Sequence, residues 1–185
     1  MAINQTHPSL LTPHLITCTI QGVKRVPGKF LLHPVHAAAL GLGAGYAPVM
    51  PGTAGTLVGV ILYVPLQSLP WPWYVAVTLV LLLAGIGICG ATAAALEVHD
   101  HPAIVWDEIV GYLITMIAAP PGWVWMAAGF VLFRLFDIWK PWPVKQVDKA
   151  VPGGLGIMAD DVIAATYGWI LMYIIHILYL LSTSS

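Results

Sequence analysis

Two pairs of adjacent carboxylates stand where the chain becomes most apolar. Asp107 and Glu108 open the stretch DEIVGYLITM, and Asp160 and Asp161 open the stretch DDVIAATYGWILMYII. Ionisable groups near membrane depth are costly and usually mark function. Acids gathered there repel one another unless a cation lies between them, and hard oxygen ligands suit Mg²⁺. The pairs therefore indicate a magnesium site, with Asp137 as a fifth carboxylate.

The two members of each pair are expected to differ in role. Adjacent residues on a helix point about 100° apart, so one of each pair would face the metal directly. The other would orient a ligand or a water molecule. The alternative is that the acids are solvated at an interface or paired with lysines. That alternative stays open for Glu97, Asp100 and Asp148.

Two basic side chains flank Asp137 at a helical spacing. Arg134 lies three residues before Asp137 and Lys140 three residues after it, which puts all three on roughly one helical face. An arginine fork together with an ammonium group suits a phosphate. The alternative for Arg134 is a side chain that reaches from an apolar segment to the membrane surface.

The stretch PGTAGT supplies small residues, two hydroxyls and a helix start. Free N–H groups at a helix start attract phosphate, which makes Gly52, Thr53 and Thr56 candidate substrate-binding residues. Either threonine could instead only cap the helix. For His99, in the sequence HDH, we expect hydrogen bonding to the substrate or proton transfer.

A nucleophilic serine or cysteine is not expected at this site. Cys89 falls inside an apolar segment, and Ser68 falls in a loop on the opposite side of the bilayer in the topology below. Water activated by a metal, or an aspartate nucleophile, remains, and the sequence leaves both open.

The composition indicates an integral membrane protein. The chain has 185 residues, of which 59% are hydrophobic and 8% charged, whereas soluble domains have about a quarter charged residues. A net charge of −1 gives no indication of nucleic acid binding. We expect one membrane-embedded domain over residues 33–185, after a weakly structured extension over residues 1–32.

The apolar segments predict an all-α polytopic bundle of about five spanning or partly spanning helices. A full crossing needs about 20 apolar residues, and two of the segments have that length. Two others, separated by PPG, are short and predict a helical hairpin. The segments are a short interfacial helix at Pro34–Leu42, then Thr56–Leu69, Trp73–Leu96, Trp106–Ala119, Trp123–Asp137 and Val162–Leu181.

The charges predict the orientation. Five crossings place all seven Lys and Arg and all eight acids on one side, and the opposite loops SLPWPW and APPGW carry no charge. The excess of basic residues in short loops makes the charged side cytoplasmic. Trp71, Trp73 and Trp123 fit an aromatic belt at the other interface.

Four motifs in order, PGTAGT, IVWDEIVG, FRLFDIWKPWPV and GGLGIMADDVIAA, resemble the phosphatidylglycerophosphatase A family over roughly residues 33–175. The resemblance implies a multi-pass enzyme of the bacterial cytoplasmic membrane. It implies Mg²⁺-dependent removal of the terminal phosphate of phosphatidylglycerophosphate, which yields phosphatidylglycerol, the precursor of cardiolipin. On this interpretation the paired acids hold Mg²⁺, Asp137 is a further ligand or the base, and Arg134 and Lys140 clamp the phosphate with help from Thr53 and Thr56.

Other functions fit the sequence less well. A cation- or proton-coupled transporter could use the same carboxylates, but its path needs polar groups through the bilayer, and here they gather on one side. The D-G-x-x-A-R pattern of CDP-alcohol phosphotransferases and the S-G-H triplet of histidine-type lipid phosphatases are absent. Activity on related lipid phosphates and the oligomeric state stay open. The expected partners are the phospholipid substrate and membrane lipids.

Overall fold

A computed structural model of the chain describes residues 26–144, 146 and 151–183. Within these residues the fold is all-α, with no strand, as the sequence predicts. Two 3₁₀ helices, Gly28–Leu32 and Gly41–Tyr46, flank the first α-helix. The α-helices of the described part are α1 (Pro34–Ala39), α2 (Pro51–Leu66), α3 (Trp71–Leu96), α4 (Trp106–Thr115), α5 (Trp123–Trp139) and α6 (Gly153–Thr183).

The predicted N-terminal extension falls only partly within the described residues. Residues 1–25 lie outside them, whereas Gly28–Leu32 forms the first 3₁₀ helix. Phe30 in that helix is buried against Leu40 and Leu96, so this end of the expected extension packs onto the bundle. Asp148 also lies outside the described residues.

Helix α4 forms the centre of the bundle. It has 10 residues, and from Ile109 to Leu113 every one is buried. It contacts α2, α3, α5 and α6, and α6 in turn packs against α3 and α5. At about 1.5 Å per residue α4 spans only about half of the ~30 Å hydrocarbon layer. The two ends of α4 are therefore only about 15 Å apart along its axis.

Two helices are long and apolar enough to cross a membrane by length and composition, Trp71–Leu96 and Gly153–Thr183. Helix α2 is a shorter apolar helix. Large apolar side chains are exposed on the outer faces of several helices, including Ile61, Val80 and Val131. A surface this apolar is unusual for a soluble monomer and fits contact with lipid.

Three helices begin earlier than the sequence predicted. Helix α3 starts at Trp71 rather than at Trp73. Helix α2 starts at Pro51 rather than at Thr56, so all of PGTAGT lies within its first turns. Helix α6 starts at Gly153 rather than at Val162, so Asp160 and Asp161 lie about two turns inside it and not at its mouth. Proline is favoured at the first position of a helix, which explains the start of α2.

Close packing explains the early start of α6. A Cβ atom on Gly154 would lie 1.9 Å from the carbonyl oxygen of Ile86 in α3. Glycine disfavours helix by about 1 kcal/mol relative to alanine, but here its missing side chain lets the two helices touch. Tertiary contact therefore outweighs local propensity at this end of α6.

This contact predicts a matched pair of stability changes. Gly154→Ala should destabilise the fold by about 1–3 kcal/mol, because the new methyl group overpacks the α3–α6 contact. Gly87→Ala on α3 is the control, because a Cβ there meets nothing within 4 Å. Thermal unfolding of both purified variants in detergent measures the difference. Equal midpoints for the two variants would contradict the close contact.

Candidate active site

Four helix segments and one loop meet at a polar cleft of about 430 Å³. The segments are the start of α2, the first turn of α4, the end of α5 and the third turn of α6, and the loop precedes α4. Six carboxylates and two basic side chains are among its lining residues. The cleft therefore joins residues that are more than a hundred positions apart in the chain.

Three of the carboxylates form a compact cluster. Asp107, Glu108 and Asp161 each offer an oxygen, and these oxygens lie within 4.8 Å of one another. Asp107 is 9% exposed and Asp161 is 4% exposed. The first acid pair thus contributes both members to the cluster, and the second pair contributes one. We call these three side chains the acidic triad.

The triad has the features of a cation site. Burial of one uncompensated carboxylate costs several kcal/mol, and three close together add mutual repulsion. Glu108 Oε2 and Asp161 Oδ2 are buried, and neither finds a hydrogen-bond partner among the described residues. An all-oxygen donor set of carboxylates suits a hard divalent cation such as Mg²⁺. The residues present therefore fit a metal of this kind.

Arg134 lies beside the triad. Its Nη1 is 3.8 Å from Glu108 Oε1 and forms a closer ion pair with Asp137 Oδ2. The side chains of all three residues are at least 85% buried. Arg134 Nε is also buried, and within the described part of the chain no acceptor bonds to it. The guanidinium thus keeps a donor for an anion, while Asp137 fixes its position.

Lys140 directly follows the last residue of α5, and its side chain lines the cleft. Its Nζ donates a hydrogen bond of 2.6 Å to Asp160 Oδ2. Asp160, which is not part of the acidic triad, is therefore paired with a basic side chain. The backbone of Lys140 is left-handed, with φ 44°. Met50, which also lines the cleft, has φ 52°. Such conformations cost a non-glycine residue about 1–3 kcal/mol and cluster at functional sites.

The PGTAGT residues divide between the cleft and the helix. Gly52 lines the cleft, and a Cβ atom on it would lie 2.1 Å from Glu108 Oε1. Any residue larger than glycine at position 52 would therefore displace the Glu108 side chain. Thr53 is not among the lining residues, and its buried Oγ1 has no hydrogen-bond partner among the described residues. Thr56 is buried and donates its hydroxyl to the carbonyl of Gly52 at 2.8 Å, which commits its proton inside α2.

The three residues of the HDH stretch lie in different surroundings. Asp100 lines the cleft, whereas His99 is exposed and is not among the lining residues. His101 is buried, and its Nδ1 accepts a hydrogen bond from the N–H of Ala103 at 3.1 Å. His101 therefore shapes the loop before α4.

Some lining residues carried no signal in the sequence. Met50, Ile104 and Ile138 provide apolar walls beside the acids. Nothing in their type distinguishes them from other apolar residues of the chain. Ile138 follows Asp137 directly, and this adjacency is the one feature that could have pointed to it.

The fold and the cleft together define a class of protein. It is an all-helical bundle with an apolar outer surface, and one cleft brings a buried acidic triad together with arginine and lysine. Such a set suits a phosphate ester and a divalent cation. The comparisons with known proteins identify the family within this class.

The family profile of Phosphatidylglycerophosphatase A matches residues 37–176. The chain is 43% identical over 144 residues to the "Phosphatidylglycerophosphatase A" of Escherichia coli (strain K12), covering 77% of this chain and 84% of that protein. It is 45% identical over 148 residues to the Haemophilus influenzae protein of the same name, covering 79% and 91%. The chain therefore belongs to the phosphatidylglycerophosphatase A family, and it is an enzyme of the phosphatase class.

A third relative has a different name. The "Putative phosphatidylinositol-3-phosphatase" of Bacteroides thetaiotaomicron is 37% identical over 142 residues, covering 71% of this chain and 87% of that protein. No solved structure gives a significant match. The family is thus established by sequence, and relatives within it carry the names of two lipid phosphatases.

The acidic triad predicts a cation-dependent gain in stability. Mg²⁺ or Mn²⁺ at a hundred times its dissociation constant should stabilise the folded protein by about 2.7 kcal/mol. Asp161→Asn should abolish this gain and leave the metal-free protein at least as stable as the wild type, because one repelling charge is gone.

Thermal unfolding in detergent, after EDTA treatment and with metal added back, measures this gain. Glu97→Gln is the control, because Glu97 is exposed and is not among the lining residues of the cleft. A metal-dependent gain that persists in Asp161→Asn would contradict a cation site at the triad.

Proposed function

We propose that the protein hydrolyses phosphatidylglycerophosphate to phosphatidylglycerol and inorganic phosphate, with Mg²⁺ as its cofactor. The observation that carries the proposal is the meeting of the acidic triad with Arg134 and Lys140 in one cleft. Membership of the family supports the choice of substrate. The reaction would supply an anionic phospholipid and the precursor of cardiolipin.

The acidic triad would hold the metal, with Asp137 and Asp160 close by. When bound there, Mg²⁺ would polarise the phosphoryl oxygens and lower the pKa of the attacking water. Glu108 is confined between Gly52 and Arg134, so its carboxylate has little freedom to turn away from the cluster. This confinement is a form of preorganisation, because the ligands need not be gathered when the substrate arrives.

The basic residues would bind the phosphate. Arg134 already contacts Asp137, and its buried Nε has a proton to donate to a phosphate oxygen. Lys140 Nζ donates a hydrogen bond to Asp160, and its positive charge at the cleft would attract the phosphate. The hydroxyl of Thr53, at the first turn of α2, is a further candidate donor. Each contact would counter negative charge on the transferring phosphoryl group.

Asp137 would have two tasks. Its ion pair with Arg134 fixes the guanidinium, and its carboxylate, which also lines the cleft, would accept the proton that the attacking water loses. As the water oxygen bonds to phosphorus, the P–O ester bond would break, and the ester oxygen would leave with the glycerol group of the lipid and take up the proton held by Asp137.

The position of the cleft suits an amphipathic substrate. Polar groups gather at one end of the bundle while its outer helical faces are apolar. A lipid could leave its acyl chains in the bilayer and bring its phosphate to the cleft. We place this end on the cytoplasmic side of the bacterial inner membrane, because the basic residues in the short loops fall there. Residues 33–185 would form one catalytic domain.

The buried hydroxyls argue against a transporter that uses the same carboxylates. A cation or proton path needs polar groups along the bilayer depth. The four threonines among the buried polar residues of the described chain are Thr56, Thr78, Thr92 and Thr115. Each donates its hydroxyl to the carbonyl four residues earlier in its own helix. Thr92 Oγ1 also lies 2.9 Å from His36 Nδ1, and Thr115 Oγ1 lies 3.4 Å from the carbonyl oxygen of Ala165. None of these bonds links one threonine to another.

Phosphate release by the purified protein in detergent micelles tests the proposal. Wild-type protein with Mg²⁺ should release phosphate from phosphatidylglycerophosphate, and EDTA should stop the release. Asp107→Ala should lower the rate by more than about a hundredfold, because even partners of metal ligands contribute about 10–100-fold. The Glu97→Gln variant should keep the wild-type rate.

The same assay compares substrates. Phosphatidylinositol 3-phosphate should react more slowly than phosphatidylglycerophosphate at equal surface concentration. A clear preference for the inositol lipid would contradict the proposed substrate and keep the phosphatase class. No release from either lipid by folded protein with Mg²⁺ would contradict the proposed function itself.

A further inference from the structure

An apolar groove of about 400 Å³ runs between α2 and α5. We call it the α2–α5 groove. All of its lining side chains are apolar. Its floor includes Val60, Met126 and Phe130, which pack against the core. Its rim includes Leu57, 52% exposed, and Val131, 61% exposed. The groove is therefore open along its length to whatever surrounds the bundle.

The groove lies between the same two helices that carry one side of the cleft. A Cβ atom on Gly52, at the start of α2, would lie 3.0 Å from Arg134 Nη1, near the end of α5. The start of α2 thus lies beside the end of α5, and the two helices are antiparallel. Leu57 follows Gly52 by five residues, and Val131 precedes Arg134 by three. At 1.5 Å per residue the groove begins about 5–8 Å from the cleft.

The other end of the groove lies at the start of α5, farther from the cleft. Trp123, the first residue of α5, closes the lining there. Trp123 is 11 residues before Arg134, so the groove extends to about 16 Å from the cleft along the helix axis. It therefore points from the polar cleft toward the uncharged end of the protein.

The packing of α2 explains why the groove exists. Gly55 and Gly59 bring α2 close to α4, since Cβ atoms on them would lie 2.6 Å from Val105 Cβ and 3.1 Å from the carbonyl oxygen of Ile109. At 100° per residue, Leu57 lies on roughly the opposite side of α2 from these glycines, and Val60 lies about 100–140° from them. Helix α2 is thus fixed against α4 by one side, and the other side is left to form the groove wall with α5.

We propose that the α2–α5 groove holds an acyl chain of the lipid whose phosphate is bound in the cleft. The proposal rests on the proposed function, because that function supplies a ligand with a polar head and apolar chains. A ligand of this kind needs an apolar path next to the polar cleft. The groove is such a path, with no polar side chain in its lining.

The groove would act by orientation more than by affinity. A chain that moves from lipid into the groove leaves one apolar surrounding for another, so the hydrophobic effect contributes little. Packing against Val60, Met126 and Phe130 would instead fix the direction in which the glycerol backbone leaves the groove. That direction sets where the phosphate ester lies in the cleft, and small misplacements of reacting atoms are costly.

Variants that fill the groove test the proposal. Leu57→Trp and Val131→Trp place an indole at the rim, and Leu79→Trp is the matched control on the outer face of α3, where Leu79 is 51% exposed. Phosphate release is measured with phosphatidylglycerophosphate that carries two long acyl chains and with its dihexanoyl analogue. The groove variants should lower kcat/KM for the long-chain lipid by about tenfold or more. The dihexanoyl lipid should react as with the wild type, and the control should change neither rate.

Two kinetic outcomes would overturn the proposal. An equal loss on both lipids would mean that the indoles distort the cleft, and unchanged rates on both would mean that the groove is not used. Light scattering in detergent gives a third outcome that would overturn the proposal. A dimer that Leu57→Trp dissociates would assign the groove to a second copy of the chain.

A binding measurement does not depend on turnover. Phosphatidylglycerophosphate with a diazirine in one acyl chain is irradiated with the protein in EDTA, and the labelled peptides are mapped. Labelling should concentrate on residues 57–60 and 123–131. Equal labelling of the outer face of α3 would overturn the proposal. Concentrated labelling without phosphate release by the wild type under Mg²⁺ would support the groove and contradict the proposed function.

Discussion

The mutual repulsion of three buried carboxylates is the constraint on which the rest of the structure depends. Asp107, Glu108 and Asp161 offer oxygens within 4.8 Å of one another, in a setting where an uncompensated carboxylate costs several kcal/mol. Arg134 offsets part of this charge beside Glu108, and Lys140 pairs with the neighbouring Asp160. A divalent cation would offset the remainder. The bundle therefore carries a local cost that a ligand can relieve, which is a common property of functional sites.

The helical scaffold serves to hold these charges at one end of an apolar bundle. Asp107 and Glu108 lie in the first turn of the short central helix α4. Because α6 starts early, Asp161 lies two turns inside that helix, where it meets them. Close contact at Gly52 lets α2 approach α4, and close contact at Gly154 lets α6 approach α3. The outer helical faces carry exposed apolar side chains, whereas the carboxylates and basic side chains gather in the cleft.

Much of the site could be predicted from the sequence, because the types and spacing of its residues are unusual for so apolar a chain. The i, i+3, i+6 spacing of Arg134, Asp137 and Lys140 predicted one face, and the structure brings all three to the cleft. The predicted starts of α2 and α6 were wrong. Pro51 can open α2, and the weak helix propensity of Gly154 in α6 is compensated by a contact distant in sequence. The separate positions of Asp160 and Asp161 depend on tertiary packing, as does the exposure of His99.

Anomalous scattering from crystals of the protein grown with Mn²⁺ tests the central claim most directly, because it locates the metal independently of activity. The account predicts a strong peak bounded by the carboxylate oxygens of Asp107, Glu108 and Asp161. Crystals of Asp161→Asn grown in the same way should lose it. Peaks confined to surface residues, or a triad without metal at saturating Mn²⁺, would contradict the claim that these buried acids exist to hold a cation.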